Sequence, residues 1–355
     1  MTADADRALV ERLLDGDPRA LARTISRVEN RSEGYRDVVS ALYGHTGDAS
    51  VVGVTGSPGA GKSTLVDELV GYYRDDGETV GVIAVDPSSP YTGGAVLGDR
   101  VRMGSAVGDE GVFVRSMSAR GHLGGLSTAT ADAVKALDAA GFDRVVVETV
   151  GAGQNEVDVV RTADTVVVLV QPGSGDDVQM LKAGILEIGD VFVVNKADLD
   201  GAARTVADLR EMLELRGGEG RTRVGHHGAV GVADERRDDE NEDEDDEWSP
   251  PVLETVATTG DGVADLAGAV DDHRDHLRQT GRMRDRARSR AAAEIRTLLR
   301  QDTADLVEAE LRRRGGVEAV AERVADRETD PYTVADDLLA PVQAALDRRQ
   351  ADDDA

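Results

Sequence analysis

The chain has 355 residues, 40% of them hydrophobic, and this length predicts one large domain with extensions. It contains no cysteine, which excludes disulfides, thiolate metal sites and a cysteine nucleophile. The formal net charge of −28 argues against partners that are nucleic acids or anionic membranes.

The acidic residues are spread along most of the chain, and we interpret them as solvation in a salt-rich (halophilic) cytoplasm. High ionic strength screens the self-repulsion of such a surface. This hypothesis requires thermal stability to rise between low and molar KCl; an acidic functional surface is the alternative. No apolar run is long enough for a membrane helix, and the N-terminus lacks a long apolar segment. We therefore expect a cytoplasmic protein.

Residues 1–48 are predicted to form a helical extension, because apolar residues such as Leu9 and Leu13 recur at helical spacing. Asp17 followed by Pro18 is typical of a helix start, with the aspartate as the cap and the proline in the first turn. We expect this extension to pack on the main domain.

Short apolar runs alternate with amphipathic stretches between residues 49 and 280. Such runs are typical of parallel strands that are buried on both faces, and the amphipathic stretches are typical of crossover helices. The predicted fold class is α/β, a doubly wound and mostly parallel sheet. The predicted strands are Val51–Thr55, Val80–Val85, Val112–Val114, Val145–Val147, Thr165–Val170, Val191–Val194 and, more weakly, Val252–Val256.

The first strand leads into a glycine-rich loop that reads Gly56-Ser57-Pro58-Gly59-Ala60-Gly61-Lys62-Ser63-Thr64. A helix with apolar residues at Leu65, Leu69 and Tyr72 follows it. In this context the glycines let backbone N–H groups converge on phosphate oxygens, and the helix N-terminus adds positive potential. Lys62 is predicted to reach the β- and γ-phosphates, and the Ser63 hydroxyl to bind Mg²⁺. The pattern predicts a P-loop nucleoside triphosphatase.

Two apolar runs end in an acid, Asp86 after the second strand and Glu148 after the fourth. In a parallel sheet both ends lie at the edge where the phosphate loop lies, and Mg²⁺ prefers oxygen ligands. Glu148 is predicted to hold the metal through water or to orient the attacking water. Asp99 is a further candidate. For any one of these acids, a helix cap or a solvated loop residue is the alternative.

The late strand Val191–Val194 is followed by Asn195-Lys196-Ala197-Asp198. The Asp198 carboxylate is predicted to accept two hydrogen bonds from guanine N1–H and the 2-amino group, with the Lys196 stem along the base. Adenine cannot donate in that pattern, and the wrong base would leave a buried carboxylate unpaired. The tetrad therefore predicts GTP and GDP as the ligands.

Residues 217–247 interrupt the alternation and are almost entirely acidic towards their end, which predicts a disordered surface insertion. Residues 281–355 are predicted to be helical. Within them, Asp330-Pro331 is typical of the cap and first turn of a last helix.

With these motifs together, the chain resembles the MeaB/ArgK-type P-loop GTPases of the SIMIBI-like group, the chaperones of methylmalonyl-CoA mutase. The resemblance spans nearly the whole chain. Beyond the phosphate loop and residues 195–198 it rests on Ala84-Val85-Asp86-Pro87-Ser88-Ser89-Pro90, the stretch from Gly93 to Met103, the stretch from Ser118 to Leu126 and Glu148-Thr149-Val150-Gly151-Ala152-Gly153-Gln154.

The resemblance implies a dimeric Mg²⁺-dependent GTPase that binds the adenosylcobalamin-dependent mutase, gates cofactor loading and protects the enzyme. It implies that Asp86, Asp99 and Glu148 surround Mg²⁺ and the attacking water, and that Lys182 lies in a switch segment that senses the partner. The C-terminal helices would form the dimer contact. Val256-Ala257-Thr258 departs from the usual Ser-Ala of the last guanine loop, but the Ala257 N–H is still expected at guanine O6.

Three alternatives remain open at this point. One is an ATPase associated with the transport of basic amino acids, which nucleotide competition would distinguish. Another is a metal-insertion GTPase, which usually needs Cys or His clusters. The third is a nucleotide-binding scaffold without hydrolysis, which a turnover measurement would distinguish.

Overall fold

The computed structural model describes residues 3–86, 108–118, 125–149, 162–173, 186–219 and 247–353. It confirms the predicted doubly wound sheet. Seven strands pair in parallel, in the order β3-β2-β4-β1-β5-β6-β7. They are β1 Ser50–Gly56, β2 Val80–Asp86, β3 Val112–Ser118, β4 Arg144–Glu148, β5 Thr165–Val170, β6 Val191–Asn195 and β7 Val252–Thr255.

The valine-rich runs form strands because helices cover both faces of the sheet. β1, β4, β5 and β6 are buried at every residue. Alternate residues serve different cores: Val166 and Val168 belong to one apolar cluster, and Val167 and Leu169 belong to the other. A β-strand with apolar residues on both sides is stable only between two layers of helix.

The helices that the structure describes begin and end as follows: α1 Ala3–Leu14, α2 Pro18–Glu29, α3 Tyr35–Leu42, α4 Lys62–Asp75, α5 Gly125–Ala139, α6 Leu186–Ile188, α7 Ala202–Glu219, α8 Val263–Gln279, α9 Arg282–Arg313, α10 Gly316–Ala325 and α11 Pro331–Asp353. A short 3-10 turn, Tyr43–His45, follows α3. In the described part of the chain, no helix is both long and apolar enough to cross a membrane.

α4 and α8 share one face of the sheet, where Leu65, Leu69 and Val270 lie in one buried cluster. The predicted apolar stripe of α4, Leu65, Leu69 and Tyr72, was wrong at its last residue. Tyr73 is buried and Tyr72 is 37% exposed, because the inward face of α4 passes one residue further along the chain.

The N-terminal helices pack on the opposite face, where α2 contacts α5 and β3. Asp17 caps α2 as predicted, and its side chain accepts hydrogen bonds from the backbone N–H groups of Arg19 and Ala20. A nearly buried ion pair joins α1 to α2, with Arg27 Nη1 at 2.7 Å from Asp6 Oδ1. These contacts hold the predicted helical extension against the core cluster.

The chain divides into two compact units, Met1–Arg290 and Ala291–Ala355. The second unit holds the later part of α9, α10 and α11, and α11 begins at the predicted Pro331 with Asp330 as its cap. α9 has no buried residue.

One predicted boundary was wrong. Residues 217–219 belong to the end of α7 instead of opening the acidic insertion. The remainder of that insertion, residues 220–246, lies outside the described part of the chain, and description resumes at Glu247.

Candidate nucleotide site

The loop between β1 and α4 lies at the carboxyl edge of the sheet, where the strand order changes direction. Two of its glycines are sterically required. A Cβ on Gly56 would lie 2.0 Å from the backbone oxygen of Leu169 in the neighbouring strand, and a Cβ on Gly61 would lie 2.4 Å from Nδ2 of Asn195. Both also have positive φ, at 139° and 91°. Only glycine at these two positions therefore lets the loop adopt this conformation.

Lys62 begins α4 and is 6% exposed. Its ammonium donates to two carbonyl oxygens of the loop, Gly56 O at 2.7 Å and Ser57 O at 2.9 Å. The Ser57 hydroxyl oxygen is buried and has no hydrogen-bond partner among the described residues. A buried polar atom normally finds a partner, and a phosphate oxygen would supply one here. The donors of this loop fit an anion.

Ser63, in the first turn of α4, donates from its hydroxyl to Oε1 of Glu148 at 2.5 Å. Glu148 ends β4 and is 2% exposed, so its carboxylate is held beside the phosphate loop. The next residue, Thr149, donates from its backbone to Val54 O and from its hydroxyl to Thr55 Oγ1. These two bonds fix the end of β4 beside β1. The Ser63 hydroxyl oxygen and a Glu148 carboxylate oxygen, which are ligand types that Mg²⁺ prefers, therefore lie next to each other.

Asp86 is the last residue of β2, whose neighbour is β4, so its backbone lies at the same edge as Glu148. The orientation of its side chain lies outside the description. Asp99 and Lys182 also fall outside the described residues. Among the described residues, no three or more His, Cys, Asp or Glu side chains form a group that could hold a metal ion.

Asn195 connects the base loop to the phosphate loop. Its Nδ2 donates to Ala60 O at 2.7 Å, and its Oδ1 accepts from the Thr255 hydroxyl at 3.0 Å and from the Ala257 backbone N–H at 3.1 Å. The side chain is 2% exposed. Two chain segments that are distant from Asn195 in sequence, at residue 60 and at residues 255–257, therefore converge on its amide group.

The other base-loop residues differ in exposure. Lys196 is half-buried and donates to Gly59 O at 2.7 Å, whereas Asp198 is exposed. Asp198 makes no hydrogen bond or ion pair with the described residues, so its carboxylate is open to a ligand. The Ala257 N–H, expected at guanine O6, donates to Asn195 instead. A guanine oxygen would therefore share or replace this acceptor.

Sequence reasoning missed two side chains at this site, Thr255 and Gln171. Thr255 orients the Asn195 amide, and Gln171 Oε1 accepts from the Lys196 ammonium at 3.0 Å. Neither belongs to a contiguous motif with its partner. Their place directly at the end of β7 and directly after β5 is the signal that could have found them.

A separate buried polar cluster lies at the opposite edge of the sheet, at the starts of β5 and β6. Asp190 accepts from the backbone N–H of Val166 and from the Arg286 guanidinium, and it lies 3.4 Å from Nε2 of His273. Burial lowers the pKa of His273 to about 4, although the neighbouring Asp190 carboxylate opposes the shift. The Trp248 ring covers His273. This cluster is structural and is remote from the phosphate loop.

This chain is similar to known proteins over most of its length. The family model described as methylmalonyl-CoA mutase-associated GTPase MeaB matches residues 21–312. A protein of Pyrococcus abyssi, whose name assigns it provisionally to the GTPases, is 47% identical over 334 residues, which cover 94% of this chain and 96% of that protein. The GTPase ArgK of Escherichia coli is 36% identical over 278 residues, 77% of each chain.

Two further matches are a solved structure and a fused enzyme. The crystal structure of an LAO/AO transport system kinase superposes with a TM-score of 0.66 at 25% identity, over 97% of this chain and 99% of that chain. A fused isobutyryl-CoA mutase of Cupriavidus metallidurans is 37% identical over 210 residues, which are 58% of this chain and 19% of that protein.

Proposed function

The chain belongs to the MeaB family of methylmalonyl-CoA mutase-associated GTPases, and we propose that an acyl-CoA mutase controls its GTP hydrolysis. It is a GTPase and binds guanine nucleotide. The proposed role is that of a chaperone for adenosylcobalamin-dependent methylmalonyl-CoA mutase, which gates cofactor loading and protects the mutase. One observation carries the nucleotide assignment: the Asn195 amide bonds directly to the phosphate loop at Ala60 O. A single nucleotide can therefore contact both loops.

In the proposed phosphate site, the triphosphate lies along residues 56–64 and accepts hydrogen bonds from the Lys62 ammonium in place of the loop carbonyls. Lys62 now bonds two carbonyl oxygens, which carry only partial charge. Phosphate oxygens carry formal charge and are the stronger acceptors, so the exchange favours the nucleotide. The buried Ser57 hydroxyl is a further donor for a phosphate oxygen. Lys62 then stabilises the charge that develops on the transferred phosphoryl group.

Mg²⁺ fits the pair formed by Ser63 and Glu148, because both present oxygen atoms at one place, and the ion would take the place of the hydrogen bond that joins them. When bound, Mg²⁺ would neutralise charge on the phosphate oxygens. Asp86 and Asp99 are proposed as additional ligands by likeness to the family. Glu148 is proposed to hold the ion through water or to orient the attacking water. Lys182 is proposed as a catalytic residue supplied by the switch segment.

These roles are tested by turnover of GTP at saturating Mg²⁺. Ser63→Ala and Glu148→Gln should each lower turnover about hundredfold, since each removes a group that acts on the charged transition state. Thr46→Ala is the matched control, because it removes an exposed hydroxyl from a turn outside the site. Turnover like that of the control in both site variants would remove Ser63 and Glu148 from the mechanism.

In the proposed guanine site, Asp198 accepts from guanine N1–H and the 2-amino group. Its exposed carboxylate has no competing partner among the described residues. The Lys196 stem lies along the base, and the Ala257 N–H is proposed to contact O6. Asn195 holds the loops that carry both of these residues.

Two findings support a mutase as the partner. The matching family is described by its association with methylmalonyl-CoA mutase. The fused isobutyryl-CoA mutase carries a segment similar to this chain within one polypeptide, which supports a mutase of the acyl-CoA class more generally. Proteins that are fused in one organism often act together as separate chains in another.

A binding experiment with purified methylmalonyl-CoA mutase tests the partner. The chain would be immobilised with GDP and with a non-hydrolysable GTP analogue, and captured mutase would be measured in each state. We expect binding in at least one state, together with faster GTP turnover when mutase is added. If mutase is absent from both states and turnover is unchanged, the chaperone role is wrong while the GTPase stands.

A homodimer is proposed through the helical region 281–355. α9 exposes large apolar side chains at helical spacing, with Ile295 at 57%, Leu299 at 61% and Leu306 at 65%. Apolar side chains repeated along one helix usually mark an interface. Leu299→Glu should convert a dimer to a monomer in light scattering, whereas Thr46→Ala should not. A wild-type monomer at micromolar concentration would contradict the proposal.

The alternative of an ATPase linked to the transport of basic amino acids receives support from the name of the superposable kinase. Competition between nucleotides decides between the two. If ATP displaces labelled GDP better than GTP does, the transport function is favoured and the guanine site is wrong.

A further inference from the structure

Lys196 has a backbone conformation that a non-glycine residue adopts only at a cost. Its φ is +60°, in the left-handed region, which costs roughly 1–2 kcal/mol for an L-residue. Two other described non-glycine residues share a positive φ, Arg31 and Arg327, and both directly follow a helix cap. That position is a common place for left-handed residues. Lys196 instead follows a strand, so its strain needs another explanation.

The side chain of Lys196 provides that explanation, because its ammonium is held by two hydrogen-bond acceptors. Its Nζ donates to Gly59 O in the phosphate loop at 2.7 Å and to Gln171 Oε1 at 3.0 Å. Gln171 is the residue after β5, and β5 pairs in parallel with β6, which ends at Asn195. The two strand ends therefore place an amide oxygen and an ammonium side by side.

The backbone that follows Lys196 is fixed as well. The Ala197 N–H donates to Thr255 O at 3.0 Å, and the Leu199 N–H donates to Lys196 O at 3.0 Å. Because the backbone is anchored at one end and the ammonium at the other, the aliphatic stem between them has little conformational freedom. A stem that is ordered before the nucleotide arrives loses less entropy when the nucleotide binds.

We propose that Gln171 is a positioning residue for guanine nucleotides, which acts by holding the Lys196 ammonium. This rests on the proposed guanine site, in which the Lys196 stem lies along the base. An ammonium has three N–H donors, and Gly59 and Gln171 accept from two, which leaves one for the nucleotide. Gln171 does not touch the reacting phosphates in this role.

The chemistry of the amide suits this task. Its oxygen accepts a charge-assisted hydrogen bond, which is about twice as strong as a neutral one. Because the amide is neutral, it does not cancel the charge of Lys196, and the ammonium still attracts the anionic nucleotide. A carboxylate at position 171 would hold Lys196 equally well but would place a negative charge beside the phosphate loop.

The test is a double-mutant cycle on nucleotide affinity, measured by calorimetry with GDP and with a GTP analogue. Gln171→Met keeps the side-chain length and removes the strong acceptor. It should raise Kd about tenfold for both nucleotides, which is the loss expected for one hydrogen bond to a charged group. The factor should be the same for both, since the γ-phosphate is not contacted. Gln279→Met makes the same chemical change at the exposed end of α8 and is the control.

The same change is then made in a Lys196→Met background, where Gln171→Met should alter Kd by less than about twofold. A merely structural role would give an equal loss in both backgrounds, and that result would overturn the proposal. So would a Kd for Gln171→Met equal to that of the Gln279→Met control. If folded wild-type protein binds no guanine nucleotide, the proposed function itself is wrong, and that outcome is distinct from both.

Discussion

Replacing Asn195 with alanine is the most direct test of how the two nucleotide-binding loops are joined. The Asn195 side chain bonds three groups, Ala60 O, the Thr255 hydroxyl and the Ala257 N–H. The first belongs to the phosphate loop, the second to the last residue of β7 and the third to the loop that follows β7. Alanine at this position removes every one of these bonds and introduces no new contact.

The magnitude follows from burial. Asn195 is 2% exposed, and Thr255 and Ala257 are buried as well, so water cannot readily replace the lost partners. A buried group without a partner costs at least about 1 kcal/mol, so three of them cost about 3 kcal/mol in the free energy of unfolding. That loss corresponds to a change of about two orders of magnitude in the folding equilibrium.

Urea denaturation of the nucleotide-free protein measures this loss. Asp198→Ala is the matched control, because Asp198 is exposed and makes no contact within the described chain; its effect should stay within about 0.5 kcal/mol. Asn195→Ala should therefore lower stability, whereas Asp198→Ala should affect only ligand recognition. If Asn195→Ala and Asp198→Ala unfold at the same urea concentration, the amide does not join the loops and the reasoning fails.

Three further predictions concern the same molecule. Gly61→Ala should raise Kd for GDP at least about tenfold above that of Gly59→Ala, because both have positive φ but only the Gly61 Cβ would collide with Asn195; equal values in calorimetry would contradict this. Asp198→Asn should shift preference from GTP to xanthosine triphosphate in competition experiments, and unchanged selectivity would remove Asp198 from base recognition. The pKa of His273 falls from 6.5 to about 4 on burial, so unfolding takes up a proton between these values. Stability should be complete above pH 6.5 and decrease by about 3 kcal/mol towards pH 4. His273→Gln should flatten this dependence in urea titrations, whereas an unchanged slope would assign it to other groups.

The sheet could be predicted because its signal is local. After its first residue, a run such as Thr165–Val170 has no polar side chain that could face water. Such a run is typical of a strand that lies between two layers of helices. The caps at Asp17 and Asp330 were equally local, since each bonds backbone groups two or three residues ahead. The error at Tyr72 arose because two adjacent tyrosines fit the same helical stripe.

The phosphate loop and the base tetrad were recognisable because each is a contiguous string whose chemistry depends on residue type and spacing. Neither string predicts that the two motifs contact each other. Asn195 and Ala60 are 135 positions apart, and Lys196 and Gln171 are 25 apart. No periodicity links such pairs, because sheet order decides which strand ends become neighbours.

The amino-acid sequence by itself determined the class of fold, the anion-binding loop and the guanine preference, since these depend on side-chain chemistry at short range. Only the tertiary structure decided that Asn195 joins the two loops, that Gln171 holds Lys196 and that the Ala257 N–H already has an acceptor. The physical reason is that hydrogen bonds act over about 3 Å, and β5, β6 and β7 reach that distance only after the sheet has formed.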